Sequence, residues 1–173
     1  MKTLYLLRHA KSSWKDEGLE DFDRPLSKRG RAVARAMGEY LARHRVAPGQ
    51  VLCSPAKRTR DTLERLQDGI GRAVPVRFEK VIYMAEASAL LRRLRRLNDS
   101  LPSAMLVGHN PGLEQLALGL AAERDGELRR QLQLKFPTGS LAIIETDVDH
   151  WADLKPGCGR ITAFVRAKDL GAE

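Results

Sequence analysis

Short apolar runs alternate along the chain with stretches whose apolar residues recur at helical spacing. The first run covers 3–7 and ends on Arg8-His9, and a polar loop over 11–25 follows. Ser27 then stands as an N-cap for a helix carrying Val33, Ala36, Met37, Tyr40 and Leu41 on one face. Val51-Leu52-Cys53 reads as a second strand, running into Ser54-Pro55, where serine caps a helix and proline takes its first turn. Thr59, Leu63 and Leu66 continue that helix, 74–78 reads as a third and weaker strand, and 88–98 as an amphipathic helix. Ala104-Met105-Leu106-Val107 has the unbroken apolar character of a buried strand and ends in Gly108-His109. Asn110-Pro111 repeats the cap-then-proline start, ahead of a helix marked by Leu113, Leu116, Ala117 and Leu120. Two late strands, 141–146 and 161–166, close the sheet, with turn formers across 147–159 and a frayed end over 167–173. Strands alternating with helices predict an α/β fold: a three-layer sandwich with a mainly parallel central sheet flanked by helices, in one domain over 1–173.

Composition narrows the class. With 173 residues, 43% hydrophobic and 30% charged, the chain has the mix of an ordinary globular protein, and a chain of this size buries enough surface to need no disulfide or metal staple. Cys53 and Cys158 lie far apart and form neither a disulfide framework nor a Cys-x-x-Cys knuckle, the pattern of a reducing compartment and a cytoplasmic location. No run approaches the ~20 residues of a membrane span, and the apolar stretch 4–7 is too short for a signal-peptide core. The net charge of +8 admits nucleic acid, an anionic substrate or simply a basic surface. Its densest cluster is Arg92, Arg93, Arg95 and Arg96, which fall opposite Leu90, Leu91, Leu94 and Leu97 on a helix and read as its solvated face. Aromatics are only 5% of the chain and do not interleave with the basic residues, which argues against a nucleic-acid platform.

In open parallel sheets, ligands bind beyond the carboxyl ends of the strands. The first strand delivers Arg8 and His9 there, the second Ser54-Pro55 with Arg58 just inside the next helix, and the strand at 104–107 delivers His109. Two arginines and two of the four histidines thus converge on helix N-termini, whose free N–H groups favour anions. Arginine forks match phosphate oxygens in geometry and charge, so the expected site is a phosphate pocket. His44 and His150 fall outside this set and read as structural residues. Neither a Gly-x-x-x-x-Gly-Lys-Ser/Thr loop, nor a Gly-x-Gly-x-x-Gly fingerprint, nor a His-Glu-x-x-His helix is present, so nothing in the sequence asks for a nucleotide cofactor or a metal.

The segment Arg8-His9-Ala10-Lys11-Ser12 resembles the Arg-His-Gly signature of the histidine phosphatase superfamily, shared by phosphoglycerate mutases and acid phosphatases. Ser54-Pro55-Ala56-Lys57-Arg58-Thr59-Arg60-Asp61-Thr62 resembles its Ser-Pro-x-x-Arg-x-x-x-Thr motif, and Gly108-His109-Asn110-Pro111 the motif that supplies a second histidine. The short length, Arg24-Pro25-Leu26-Ser27 and His109-Asn110-Pro111 look most like the SixA-type phosphohistidine phosphatase branch. The resemblance implies a phosphoglycerate mutase-like fold, His9 as the nucleophile that becomes a covalent phosphohistidine, Arg8 and Arg58 as the clamp on the phosphoryl oxygens, and His109 as the second imidazole. It also implies substrate contacts from Arg24 and Ser12, no metal and no cofactor.

Two departures bear on the substrate. Ala10 replaces the signature glycine, and neither Glu79 nor Glu86 falls in a recognisable acid motif. A phosphohistidine substrate explains the missing acid, because its imidazole leaving group, with a pKa near ~6.5, departs without a proton donor. The expected partner is a phosphorylated protein of histidine phosphotransfer type or a small phosphorylated substrate. The competing readings are a small-molecule phosphomonoesterase using Glu79 or Glu86, and, more distantly, a non-catalytic basic binder. Trp14, in the pocket loop, either lines the entrance or packs on the sheet.

Overall fold

The computed structural model describes residues 1–124 and 126–172. Six strands form one sheet in the order β3-β2-β4-β1-β5-β6. They are β1 (Lys2–Arg8), β2 (Val51–Cys53), β3 (Val76–Phe78), β4 (Ser103–Gly108), β5 (Leu141–Thr146) and β6 (Gly159–Val165). The first four run parallel, whereas β5 pairs antiparallel with β1 and β6 antiparallel with β5. The two late strands therefore complete the sheet as an antiparallel edge, leaving the parallel half to point its carboxyl ends one way.

Residue alternation along the strands divides the core. Leu4, Leu6, Leu52 and Leu106 pack on one face with α3 (Ala87–Leu94), α4 (Gly112–Leu120), α5 (Gly126–Leu134), Phe136 and Trp151. Leu7, Val51, Cys53, Met105 and Val107 point to the other face, against Met37 and Leu41 of α1 (Lys28–Arg43) and Leu63 and Leu66 of α2 (Lys57–Ile70). Helices α1 and α2 touch through glycines: a Cβ on Gly38 would lie 2.0 Å from the Leu66 carbonyl oxygen, and one on Gly69 2.1 Å from that of Arg35. No helix of the described residues is long and apolar enough to cross a membrane.

Local details differ from the sequence expectation where a side chain has a tertiary partner. Ser27 caps α1, its Oγ accepting the Gly30 N–H at 3.0 Å. Ser54 does not cap α2; that helix begins at Lys57, after Ala56, and Ser54 is turned to His109. Asn110 sits one residue before the N-cap Pro111 of α4, yet its Oδ1 accepts the Glu114 N–H at 3.2 Å. The helix expected over 88–98 is α-helical only to Leu94, with Arg95 as its C-cap and Arg96 and Leu97 in tighter turns; the Arg95 guanidinium donates to the Leu154 carbonyl and that of Arg93 to Glu79. The four arginines are thus no single solvated face. Helix α5 has no counterpart in the sequence expectation, although Leu128 and Leu132 stand at helical spacing and Leu132 is fully buried. The tail is not frayed over 167–170: Ala167–Leu170 form a 3₁₀ turn fastened by the Asp169 carboxylate on the Arg166 N–H, and Leu170 packs on the α1/α2 core. Glu173 lies outside the described residues.

Candidate active site

The carboxyl ends of β1, β4 and β2 lie side by side and carry the first site residues. His9 follows β1 and is held from both sides of its backbone: its N–H donates to the Gly108 carbonyl, and its carbonyl accepts the Gly139 N–H at 2.8 Å. Gly139 has φ +77°, and a Cβ there would meet Val33 Cγ1 at 2.8 Å, so only glycine brings that N–H onto the His9 backbone without strain. The next residue, Ala10, donates its N–H to Thr62 Oγ1 at 3.0 Å. Thr62, the last residue of the Ser-Pro-x-x-Arg-x-x-x-Thr stretch, therefore ties α2 to the histidine-bearing strand end.

His9 is buried, and its Nδ1 lies 2.7 Å from the Ala10 carbonyl oxygen. A carbonyl only accepts, so Nδ1 carries the proton and Nε2 keeps its lone pair with no protein partner. Burial, reinforced by the charges of Arg58, Arg8 and Arg24 against the single opposing carbonyl bond, pulls the His9 pKa down to about 4. The His109 ring stands 5.4 Å away, centroid to centroid, with Nε2 at 2.7 Å from Ser54 Oγ. Burial and then the charges of His9 and Arg58 lower its pKa to about 3. Both rings are neutral at pH 7.

Three arginines surround them, and each is anchored at a terminal nitrogen. Arg8 Nη1 donates to the Phe136 carbonyl at 2.8 Å. Arg58 donates through Nη1 to the Asp21 carbonyl at 2.7 Å and through Nη2 to Asp21 Oδ2 at 3.0 Å. Arg24 reaches Ser12 Oγ at 2.8 Å and Asp21 Oδ1 at 3.2 Å, with its guanidinium stacked 3.5 Å over the Trp14 ring. In all three, Nε is buried and has no partner, and the same holds for His109 Nδ1. Buried donors are almost always satisfied, so four unsatisfied nitrogens gathered around the two imidazoles fit an anion rich in acceptor oxygens.

All six residues singled out from the sequence, Arg8, His9, Ser12, Arg24, Arg58 and His109, are brought together here. Ser12 enters through Arg24, whose guanidinium it anchors. Sequence reasoning missed Asp21 and Tyr83. The Asp21 carboxylate accepts from the Tyr83 hydroxyl at 2.6 Å as well as from Arg58 and Arg24, and these bonds, Tyr83's foremost, hold its pKa near about 2. Nothing local marks it, because its partners Arg58 and Tyr83 lie 37 and 62 residues further along. Glu79 and Glu86 do not join the set. Glu79 is clasped by Arg93 Nε at 2.8 and 2.9 Å, and Glu86 is exposed ahead of α3. Trp14 lines the loop and not the sheet, 72% exposed. Among the described residues no three His, Cys, Asp or Glu side chains are grouped to hold a metal ion.

The two low imidazole pKa values give a pH prediction. The unfolded chain binds protons on these histidines below about pH 6.5, whereas folded His9 resists until about pH 4. Stability therefore falls as pH drops from 6.5 toward 4, by about 3 kcal/mol from His9 alone at ~1.4 kcal/mol per tenfold in proton affinity. Denaturation midpoints measured from pH 7 to 4 should show this slope, and His9→Ala should flatten it.

The histidine phosphatase superfamily (branch 1) model matches residues 4–82. An uncharacterized protein of Mycobacterium tuberculosis is 35% identical over 160 residues, covering 91% of this chain and 98% of its own. Among solved structures, a candidate phosphohistidine phosphatase SixA from Agrobacterium tumefaciens is 30% identical with a TM-score of 0.79, covering 95% of this chain and 97% of its own. Another from Nakamurella multipartitia is 28% identical with a TM-score of 0.81, covering 95% of each chain. A candidate alpha-ribazole-5'-P phosphatase of Escherichia coli shares the fold alone, at 17% identity and a TM-score of 0.68, over 96% of this chain and 98% of its own. The chain belongs to the histidine phosphatase superfamily, and its architecture is that of the phosphoglycerate mutase-like proteins.

Proposed function

We propose that this protein removes phosphate from phosphohistidine on a partner protein, through a covalent intermediate on His9. The observation that carries this reading is the free, neutral Nε2 of His9 beside four buried, unpaired nitrogens, with the Asp21 carboxylate held by Arg58, Arg24 and Tyr83 and that of Glu79 by Arg93. His9 Nε2 attacks phosphorus, the new N–P bond forms as the bond to the substrate imidazole breaks, and that imidazole, already protonated by solvent on its other ring nitrogen, leaves with the bonding pair as the neutral ring. Water then attacks the phosphoryl group on His9, releasing inorganic phosphate and restoring the neutral imidazole. The Nε–H groups of Arg8, Arg24 and Arg58 and the His109 ring serve the equatorial oxygens, where charge is spread in the transition state.

The leaving group decides the substrate class. Asp21 is ionised far below neutral pH, Glu79 is committed to Arg93 and Glu86 faces solvent. An alkoxide needs a proton from an acid as it departs; an imidazole protonated by solvent on its other nitrogen, with a pKa near ~6.5, leaves as the neutral ring without one. The similar Agrobacterium and Nakamurella proteins carry the phosphohistidine phosphatase name, which agrees with this reading. Glu79→Gln and Glu86→Gln should each leave turnover of phosphohistidine within about twofold; a hundredfold loss on an ester substrate, of the size general acids supply, would instead identify the acid of a phosphomonoesterase.

The reading is tested by rates on a histidine-phosphorylated protein, a phosphoserine peptide and p-nitrophenyl phosphate, each with and without a chelator. Hydrolysis of the first should exceed the others by orders of magnitude and ignore the chelator. Faster hydrolysis of the esters would overturn the substrate, and loss of activity with chelator would overturn the metal-free mechanism.

A further inference from the structure

Beyond the active site, the strongest unexplained feature is a basic groove between the edge strand β3 and α3. A concavity of about 560 Å³ there is lined by Arg77, Arg92, Arg93 and Arg96 with Glu79 and Val81. It continues into a second of about 200 Å³ that shares Arg77, Arg93 and Arg96. Glu79 neutralises Arg93. Among the described residues, Arg77, Arg92 and Arg96 have no ion pair and no side-chain hydrogen bond, and all three are exposed. Like charges left uncompensated around one concavity set up a positive potential that attracts an anionic surface.

A separate observation links this groove to the phosphate cleft. Phe78, Val81 and Met84 are 44%, 51% and 50% exposed, a row of apolar side chains on the segment that leaves β3. At its far end Met84 Sδ lies 3.7 Å from Arg58 Nη2, and the neighbouring Tyr83 holds Asp21. Met84 adopts φ +49°, a left-handed conformation uncommon outside glycine that tends to persist where surroundings hold it at functional sites. From Phe78 to Met84 the chain spans at most about 25 Å. A standard interface patch of about 800 Å² is roughly 30 Å across, so one partner covers groove and cleft together. Exposed apolar residues flanked by charge have the make-up of a protein interface. Base stacking has no platform here, because the Phe78 ring is already covered by the Arg60 guanidinium at 4.1 Å and no aromatic residue lines the groove.

We propose that Arg77, Arg92 and Arg96, with Phe78, Val81 and Met84, form the docking surface for an acidic face of the phosphorylated partner protein, which this contact brings to His9. The proposal rests on the protein-phosphohistidine reading above and adds where the partner binds and what charge it bears. Basic residues at such a surface raise the association rate and make it salt-dependent, leaving the chemistry at the phosphorus atom unchanged.

The test is the triple variant Arg77→Glu/Arg92→Glu/Arg96→Glu, assayed on a histidine-phosphorylated acidic carrier protein and on free phosphohistidine. On the protein substrate kcat/KM should fall at least about tenfold through KM, with kcat kept and the salt dependence flattened. On free phosphohistidine the variant should match the native chain. Equal rates on the protein substrate would overturn the docking surface alone, and an equal loss on both substrates would show that the substitutions disturb the cleft. If the native chain hydrolyses neither substrate, the catalytic reading fails first and the docking proposal with it. Tight binding of an oligonucleotide at physiological salt, lost in the variant, would give the groove to nucleic acid and overturn the proposal.

Discussion

His9→Ala should abolish turnover of phosphohistidine, by on the order of 10⁴-fold or more, the scale on which enzymes lose rate with their covalent nucleophile. The expectation follows from the absence of a substitute. His109 is the other imidazole in the cleft, but its Nε2 is taken up with Ser54, and its ring stands 5.4 Å from that of His9. The position of His9 is fixed: the Gly108 carbonyl and the Gly139 N–H hold its backbone, and the Ala10 carbonyl holds the Nδ1 proton. Single-turnover assays with matched circular dichroism would read the loss. Retention of more than a few per cent of the native rate would show that the nucleophile lies elsewhere.

Arg58→Ala should give the second largest loss, about 10²- to 10³-fold in kcat/KM, the usual consequence of deleting one preorganised donor to a developing anion. Arg58 is almost fully buried, and Asp21 grips both of its terminal nitrogens and leaves the Nε–H as the donor still to be used. Lysine restores the charge but neither the fork nor the Nε–H, so Arg58→Lys should recover little. Asp21→Ala acts only through the orientation of Arg58 and Arg24, and its loss should be nearer tenfold. Inhibition by orthovanadate separates the two roles: it should weaken strongly in Arg58→Ala and modestly in Asp21→Ala. Equal effects in both variants would make Asp21 more than a positioning residue.

How far the sequence discloses this site depends on the range of the interactions that build it. Arg8, His9, Arg58 and His109 are legible because each directly follows a strand or opens a helix, and the sheet's polarity gathers those ends at one edge. Strand alternation likewise marks Leu4 and Leu6 for one core face and Leu7 for the other. Asp21 is invisible in the sequence, since a carboxylate in a polar loop gains meaning only when Arg58 and Tyr83 arrive from distant segments. Ser54 is misread as a cap for the same reason: its hydroxyl meets His109 and the Ala56 N–H, one residue short of the helix. Glu79 is left open by the sequence, and in the structure its carboxylate is paired with Arg93 from α3. The antiparallel edge of β5 and β6 is settled by pairing partners, which local apolar runs do not encode.

The most direct measurement of the central claim is rapid mixing of the native chain with a ³²P-phosphohistidine protein, quenching within the first turnover, and mapping of the label transferred to this chain. An acid-labile, alkali-stable phosphoryl group should form on His9 and be lost at rates that match turnover. Label on His109, or substrate consumed at the full rate with no label on the chain, would contradict that claim.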